Sequence, residues 1–189
     1  MAKEYRDLIV GLDIGTSKIM SVVAEVPSDS TLKVLGLSVA SSSGMKRGVV
    51  VNIEACVQSI QQAIREAELM AACKITRVIT GITGSHIRGR NSVGMVAVRD
   101  REVTPADVAK VLETARAINI STDQRPLLVE PQEFIIDGQE VKEPIGMSGI
   151  RLESKVHIVT CAQSAAENII KCVRRCGLEV DHLMLNPLA

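Results

Sequence analysis

The residues best suited to chemistry follow the first apolar run of the chain, at residues 8–12. That run does not alternate with polar residues, as expected for a strand buried on both faces. A carboxylate placed directly after it is costly unless it is paired or lies near a metal. A tight turn follows, and residues 19–26 return as a second strand. The candidate site residues are Asp13, Gly15, Thr16, Ser17 and Lys18.

A turn of this kind directs successive backbone N–H groups and two hydroxyls towards one point, which favours binding of an anion such as phosphate. Asp13 would then hold the water shell of Mg²⁺, a cation that prefers oxygen ligands and keeps several waters. Lys18 adds a positive charge nearby. The pattern is neither a Walker loop nor G-x-G-x-x-G. The alternative is an ordinary hairpin, since Gly, Asp and Thr are common turn residues.

The composition of the chain excludes several classes of function. Its 189 residues carry 22 basic and 22 acidic side chains, so no net charge attracts nucleic acid or an anionic membrane. One Tyr, one Phe and no Trp leave little for base stacking or for a sugar site built on aromatic rings. Apolar residues make up 46%, enough for a core in one domain or two small ones.

The cysteines and the chain ends indicate the compartment. The first residues are polar, without a signal-peptide pattern, and the apolar runs are too short to span a bilayer, so we expect a cytoplasmic protein. Two cysteines are four residues apart on a predicted helix, but the histidines lie elsewhere, so we expect reduced thiols and no metal there. The cysteines are Cys56, Cys73, Cys161, Cys172 and Cys176.

Both ends of the chain have α/β patterning. After a turn at 27–31, a strand at 32–41 and a loop at 41–48, Asn52 caps a helix that we expect to end near Ala72, and a strand follows at 77–82. The order strand, strand, strand, helix, strand is that of a ribonuclease-H-like half-core. Towards the end, a strand at 155–161, a helix opened by a Ser164–Glu167 capping box and ended at Gly177, and a strand at 180–185 resume this pattern.

The middle of the chain predicts a small α+β unit. Residues 83–92 read as a Gly-rich basic loop that contains Arg88 and Arg90. Pro131 indicates an edge strand or a bulge. The predicted elements are a strand at 93–98, a helix from Thr104 to about Ile118 with Pro105 in its first turn, strands at 126–136 and 150–162, a hairpin turn at Asp137-Gly138 and a loop at 143–149.

Over nearly its whole length, the chain resembles the N-terminal part of the FtsA family of bacterial actin-like cell-division proteins. The first motif is shared by all actin-like relatives, whereas the later ones in this order are specific to FtsA. The motifs are GLDIGTSK (11–18), SGMKRG (43–48), AELMA (67–71), NSVGMV (91–96), PQEF (131–134), KVHIVTC (155–161) and RCGLEVD (175–181).

The resemblance implies an α/β fold: a ribonuclease-H-like (actin-like) half-core with an inserted small α+β subdomain. Subdomain 1A would comprise residues 1–83 and 161–189, and subdomain 1C residues 84–160. It also implies a protein that binds ATP and Mg²⁺ through Asp13 and residues 15–18 and forms polymers. Such a protein lies on the cytoplasmic side of the inner membrane at the division site, where it tethers the FtsZ ring and recruits later division proteins. Subdomain 1C would bind the cytoplasmic tail of FtsN.

The chain departs from the family pattern by ending at Ala189. The second phosphate loop, the adenosine pocket, the FtsZ-binding subdomain and the membrane helix are not in it, so we read it as a truncated piece. Half a cleft should not hydrolyse ATP usefully, since phosphoryl transfer depends on positioning and electrostatics. We also expect an apolar face that the missing half would cover, and hence association or poor solubility, which sedimentation at high concentration would test.

Two other interpretations stay open at this point. The inserted unit could be a peptide-binding module in which Arg88 and Arg90 meet an acidic partner, although a solvated loop charge is the simpler reading of either arginine. The chain could also be another actin-like relative. A pilus-assembly ATPase is the closer rival, because a sugar kinase needs a catalytic carboxylate and a substrate pocket that this length cannot supply.

Overall fold

The computed structural model describes residues 8–26, 31–117 and 120–186. Within these residues the chain forms two units: a core unit, built from the residues up to 86 and from 163 onwards, and an inserted unit, residues 87–162. Residues 27–30 of the predicted turn, the helix end at Ile118 and the segment 187–189 lie outside the described residues. The subdomain boundaries at 84 and 160 stay predictions.

The described residues form eleven strands and three helices. In chain order these are β1 (Leu8–Ile14), β2 (Lys18–Glu25), β3 (Lys33–Ser41), β4 (Met45–Lys46), β5 (Val49–Val50), α1 (Ile53–Ala71), β6 (Arg77–Ile82), β7 (Arg88–Ala97), α2 (Pro105–Arg116), β8 (Gln124–Ile136), β9 (Gln139–Val141), β10 (Arg151–Ala162), α3 (Gln163–Arg175) and β11 (Glu179–Leu185).

The core unit is organised around a five-stranded sheet of order β11-β6-β1-β2-β3. The pairs β1–β2 and β2–β3 are antiparallel, whereas β6 runs parallel to β1, and β11 parallel to β6. The predicted ribonuclease-H-like half-core is therefore confirmed. Parallel pairing brings the carboxyl ends of β1, β6 and β11 to one edge of the sheet, and this edge carries the candidate site.

One face of the core sheet is covered by helices. Helix α1 packs on β2 and β3 and touches α3. Asn52 caps α1 as predicted, because its side chain accepts a hydrogen bond from the Ala55 N–H at 3.1 Å. Ser38 on β3 donates to the carbonyl of Ala63 in α1 at 2.6 Å. The apolar face of α1 is buried at Val57, Ile60, Ile64 and Ala67.

The opposite face of the core sheet carries exposed apolar side chains. Ile9 on β1 is 42% exposed, and on β3 Leu37 and Val39 are 46% and 54% exposed. Alternation along each strand places these residues opposite the buried helix-facing ones, so the prediction that the first strand is buried on both faces was wrong. The expectation of an apolar face thus matches the burial pattern, and the predicted association stays a prediction.

The inserted unit is a four-stranded antiparallel sheet of order β7-β10-β8-β9 with α2 packed on β7 and β10. The predicted irregularity at Pro131 is a bulge. On β10 Lys155 pairs with Glu133 and the next residue pairs with Pro131, so the register of β8 skips one residue. The hairpin turn is confirmed, because Asp137 and Gly138 have positive φ values of 48° and 90° between the paired strands β8 and β9. The core buries Val96, Val98, Val103, Val111, Ile136 and Leu152.

Four further local predictions were wrong. Residues 41–48 are not all loop, since they contain β4 and lead through a tight turn into β5. Arg88 and Arg90 lie on β7 rather than in a loop, because ladder bonds along all of β7 outweigh the low strand propensity of glycine. The segment 155–161 is part of β10 in the inserted unit. Ser164 lies inside α3 rather than at its cap, and Glu167 accepts instead from the Gln163 side-chain amide at 2.7 Å.

The amino end of α2 gives a stability prediction. Thr104 and Asp107 form a reciprocal capping box, and hydrogen bonds from Thr104 lower the pKa of the Asp107 carboxyl. A lowered pKa stabilises the fold above the pKa of the unfolded chain, and this contribution is lost as the pH falls through the folded pKa. We expect Thr104→Ala to destabilise the inserted unit by about 1 kcal/mol.

The same substitution should raise the Asp107 pKa in an NMR titration, since the hydroxyl donor is lost. Thr114→Ala on the same helix is the control, because the Thr114 hydroxyl bonds within the helix to the Lys110 carbonyl, away from the cap. Equal effects of the two substitutions on the Asp107 pKa would contradict the capping role.

Candidate functional site

The predicted turn joins β1 to β2 at the carboxyl edge of the core sheet. The Gly15 N–H donates to the Lys18 carbonyl at 3.0 Å, which closes the turn and places Thr16 and Ser17 at its tip. A Cβ on residue 15 would lie 2.8 Å from that carbonyl oxygen, so glycine is required for this close approach. The side chains of Thr16, Ser17 and Lys18 are exposed, and Asp13 is half-buried.

A second hairpin supports the tip of this turn. Between β4 and β5, Arg47 and Gly48 have positive φ values of 51° and 78°, and the Gly48 N–H donates to the Thr16 hydroxyl oxygen at 3.0 Å. A hydroxyl has one proton and two lone pairs. Because the Gly48 N–H occupies a lone pair of Thr16, the hydroxyl proton stays available to donate to a ligand.

Gly48 also contacts the loop that follows β6. A Cβ on residue 48 would lie 2.4 Å from the Thr83 carbonyl oxygen and 2.8 Å from Gly84 Cα. The β1–β2 turn, the β4–β5 hairpin tip and the loop after β6 are therefore packed against one another at one edge of the sheet. We call these three segments the edge loops.

The carboxylate of Asp13 is held by a residue that the sequence analysis missed. The Asn186 side-chain amide donates to Asp13 Oδ1 at 2.6 Å. Asn186 directly follows β11, so the parallel pairing of β11, β6 and β1 brings it to Asp13 although 173 positions separate the two in the chain. A polar residue directly after a parallel strand was the available signal, because functional groups gather at such strand ends.

Gly81 on β6, the strand between β1 and β11, makes room for the Asn186 side chain. A Cβ on residue 81 would lie 1.7 Å from Asn186 Oδ1. That oxygen is buried and has no hydrogen-bond partner among the described residues. A buried acceptor without a donor is unfavourable. The orientation of the Asn186 amide is therefore set by the other end of the group, where the nitrogen donates a charge-assisted hydrogen bond to the Asp13 carboxylate.

Asp13 lies at the end of a cavity of about 510 Å³ that runs along the open face of the core sheet. Its walls are largely apolar and include Gly11, Met20, Ile79 and Met184. The site therefore combines an apolar cleft, one carboxylate, two hydroxyls and one lysine. Within the described ranges, no three His, Cys, Asp or Glu side chains cluster as metal ligands. A single carboxylate fits a cation held through water better than one bound by protein ligands alone.

The structure brings Asp13 and residues 15–18 together on one hairpin. Arg88 and Arg90 belong to the inserted unit, where both are exposed at the start of β7. The Arg88 guanidinium donates to the Ile87 carbonyl at 3.0 Å. The assignments of these residues to phosphate, Mg²⁺ and a partner stay predictions. In the part of the chain that the structure describes, no helix is both long and apolar enough to cross a membrane.

Known proteins are similar in sequence to this chain across both units. Residues 84–160 match a family model described as the SHS2 domain inserted in FtsA. Proteins named cell division protein FtsA are 58% identical in Pseudomonas aeruginosa, 53% in Neisseria meningitidis and 44% in Escherichia coli, and these matches cover 96%, 100% and 97% of this chain. The chain belongs to the FtsA family. It spans about half the length of these relatives, with 44% to 46% of each covered.

A solved structure supports the fold assignment. The PilM–PilN type IV pilus biogenesis complex contains a chain that matches 97% of this one with a TM-score of 0.61, over 48% of its own length. At 18% sequence identity this likeness shows the actin-like fold alone. The pilus-complex chain and the FtsA relatives align over a similar share of this chain, but the FtsA relatives are 44% to 58% identical to it and the pilus-complex chain only 18%.

The contact between Gly81 and Asn186 gives a direct test of the site geometry. We expect Gly81→Ala to displace the Asn186 side chain from Asp13 and to destabilise the core unit by about 1–3 kcal/mol, since the added methyl group overpacks the site. The Asn186 side-chain NH₂ resonances should shift, and thermal unfolding should begin at a lower temperature.

Gly11→Ala is the matched control, because a Cβ at that position on the neighbouring strand meets no atom within 4 Å. If Gly81→Ala left the Asn186 resonances where they are in the unchanged chain, the packing described for this edge would be wrong.

Proposed function

We propose that this chain is the phosphate-binding half of an FtsA-type protein that binds ATP with Mg²⁺. The proposal is carried by one observation: the Gly48 N–H donates a hydrogen bond to the Thr16 hydroxyl oxygen. This bond supports the β1–β2 turn and leaves the hydroxyl proton available to donate to a ligand. Backbone N–H groups of residues 15–18 and the hydroxyls of Thr16 and Ser17 would donate to phosphate oxygens. Lys18 would add a positive charge.

Asp13 is the residue that we propose for the Mg²⁺ side of the site. Bound Mg²⁺ would neutralise phosphate charge, and Asp13 would accept hydrogen bonds from its water shell. The donor set fits this role, since Asn186 occupies one carboxylate oxygen and thereby orients the other. Without this hydrogen bond the Asp13 carboxylate would rotate among several orientations. Time spent in orientations that turn away from the hydrated cation would weaken its binding.

The activity of the longer protein is part of the same proposal. By analogy with the family, it would form polymers on the cytoplasmic side of the inner membrane at the division site. It would tether the FtsZ ring and attach to the membrane through segments beyond this chain. Hydrolysis would need groups from a second wall of the cleft, so we expect this chain alone to bind nucleotide without useful turnover. We propose no role in nucleic-acid binding.

Calorimetric titration with ATP, in the presence and absence of Mg²⁺, tests the role of Asp13. We expect Asp13→Asn to weaken binding of Mg·ATP about tenfold or more while changing Mg-free ATP binding little, because the substitution removes the charge and keeps the shape. Asp123→Asn is the control at an exposed position of the inserted unit. Equal affinity of Asp13→Asn and the unchanged chain for Mg·ATP would refute the assignment.

A second candidate function belongs to the inserted unit. Strand β7 pairs with β10 along its whole length, and β7 stands at the end of the strand order β7-β10-β8-β9. Such an edge can accept an extended peptide by strand addition. Arg88 and Arg90 on this strand would favour acidic residues in the partner. We propose the cytoplasmic tail of FtsN as that partner.

The Arg88→Glu/Arg90→Glu double variant tests this surface. We expect it to weaken binding of an FtsN tail peptide at least tenfold and to reduce the salt dependence of binding, since charge attraction is screened by salt. Lys110→Glu/Arg116→Glu on exposed α2 positions gives the same change in net charge in the same unit. Equal weakening by both double variants would show a nonspecific charge effect and would contradict the placement on β7.

A further inference from the structure

The turn between β4 and β5 contains a residue type that such turns do not favour. Arg47 and Gly48 form this two-residue turn, and both have positive φ values, 51° and 78°. Turns of this type favour Asn, Asp or Gly at the first position, because these residues tolerate the left-handed backbone region. An arginine has no such tolerance, so the backbone at position 47 is strained. Residues strained in this way cluster at functional sites.

The inserted unit offers an internal comparison. Its β8–β9 hairpin has the same two-residue turn, with positive φ values at Asp137 and Gly138. Asp suits that position, and its carboxylate accepts hydrogen bonds from the Ile150 N–H at 3.0 Å and the Arg151 N–H at 2.9 Å. The contacts of Asp137 therefore explain its presence. The Arg47 side chain is exposed, and no described residue forms a hydrogen bond or an ion pair with its guanidinium.

Arg47 lies next to the turn that we propose for phosphate binding. The N–H of the following residue, Gly48, donates to the Thr16 hydroxyl oxygen at 3.0 Å. The Arg47 Cα is two covalent bonds from that nitrogen, so it lies within about 5.5 Å of the Thr16 oxygen. The Arg47 carbonyl oxygen also lies 3.2 Å from the position of a Cβ on Gly84, in the loop after β6. The backbone of Arg47 is thus held against the other two edge loops, and its side chain is long enough to reach a ligand at Thr16.

The edge loops carry an excess of positive charge in a chain whose formal net charge is zero. Lys18, Lys46 and Arg47 are exposed there, and Asp13 is the acidic side chain beside them. Among the described residues, no ion pair uses any of these three cations. After Lys18 offsets Asp13, the charges of Lys46 and Arg47 remain without a counterion. These loops should therefore bind an anion more tightly as its negative charge increases.

We propose that Arg47 contacts the terminal phosphate of the nucleotide and thereby makes the site prefer ATP to ADP. This inference rests on the proposed function, since it requires a phosphate chain bound at Thr16. The terminal phosphate supplies negative charge that ADP lacks, and a guanidinium donates two parallel N–H bonds to phosphate oxygens. The strained backbone at position 47 is retained because it places this side chain at the tip of a hairpin that itself holds Thr16.

Arg47→Asn separates the charge of the residue from its place in the turn, because asparagine suits the left-handed position and is neutral. Calorimetric titrations with Mg·ATP and with Mg·ADP measure binding, and thermal unfolding without nucleotide measures stability. We expect the substitution to weaken Mg·ATP binding about tenfold and Mg·ADP binding less than about twofold, since a charged hydrogen bond to the terminal phosphate is lost. The unfolding temperature should equal or exceed that of the unchanged chain, because the strain is relieved.

Two further variants control for charge. Arg47→Lys keeps the charge without the planar guanidinium and should recover part of the preference for ATP. Lys74→Asn removes a positive charge at an exposed position before β6, at the opposite edge of the core sheet from the edge loops. It should leave the preference for ATP unchanged. Equal loss of Mg·ATP affinity in Lys74→Asn and Arg47→Asn would show a long-range charge effect and would overturn the contact.

The titrations distinguish failure of this inference from failure of the proposed function. Unchanged Mg·ATP affinity in Arg47→Asn, or an equal loss of affinity for Mg·ATP and Mg·ADP, would overturn the inference and leave the proposed function in place. The same holds if the unchanged chain binds both nucleotides equally well. If it binds neither at millimolar concentration, the inference and the proposed function are both refuted. A lower unfolding temperature of Arg47→Asn would contradict the strain at position 47, on which the inference depends.

Discussion

The hydrogen bond between the Asn186 amide and the Asp13 carboxylate is the interaction on which the candidate site depends. It is short, at 2.6 Å, and one partner is charged, so it is stronger than a neutral hydrogen bond. It joins the end of β1 to the end of β11 across β6, the strand that lies between them in the sheet. This hydrogen bond holds the Asp13 carboxylate in one orientation. It also gives a partner to a charge that would otherwise be unpaired.

This interaction requires three features of the fold at once. Strands β1, β6 and β11 must run parallel so that their carboxyl ends meet. Residue 81 must be glycine, since any side chain there would occupy the place of the asparagine amide. The second segment of the core unit must return to the sheet after the inserted unit, and the packing of α3 on α1 secures that return. Loss of any one would leave Asp13 without its partner.

Much of the core unit could be predicted from the sequence because its signals are local. The glycine turn after the first strand, the Asn52 cap and the apolar stripe of α1 each depend on neighbouring residues. The SHS2-type insertion was recognisable from a change in pattern and from family motifs. By contrast, the Asn186–Asp13 bond joins residues 173 positions apart. No local pattern specifies such a partner, although the parallel strand order, once known, limits the candidates to residues that follow strand ends.

Two further features could not be predicted because tertiary pairing decided them. The β4–β5 hairpin has two residues in each strand, too few for a periodic signal, and its importance lies in the contact of Gly48 with Thr16. The glycine-rich start of β7 has poor strand propensity, yet ten residue pairs with β10 impose the extended conformation. As a result, Arg88 and Arg90 lie on a sheet edge instead of in a loop.

The measurement that tests the central claim most directly is an NMR titration of the chain with Mg·ATP, following the backbone amides of the edge loops. If these loops form one phosphate site, the amides of Gly15 and Gly48 and the side-chain amide of Asn186 should shift together along one saturating curve. Gly138, in the hairpin turn of the inserted unit, should stay unchanged. Saturating shifts confined to the inserted unit, or edge-loop amides that do not move at millimolar nucleotide, would contradict the account.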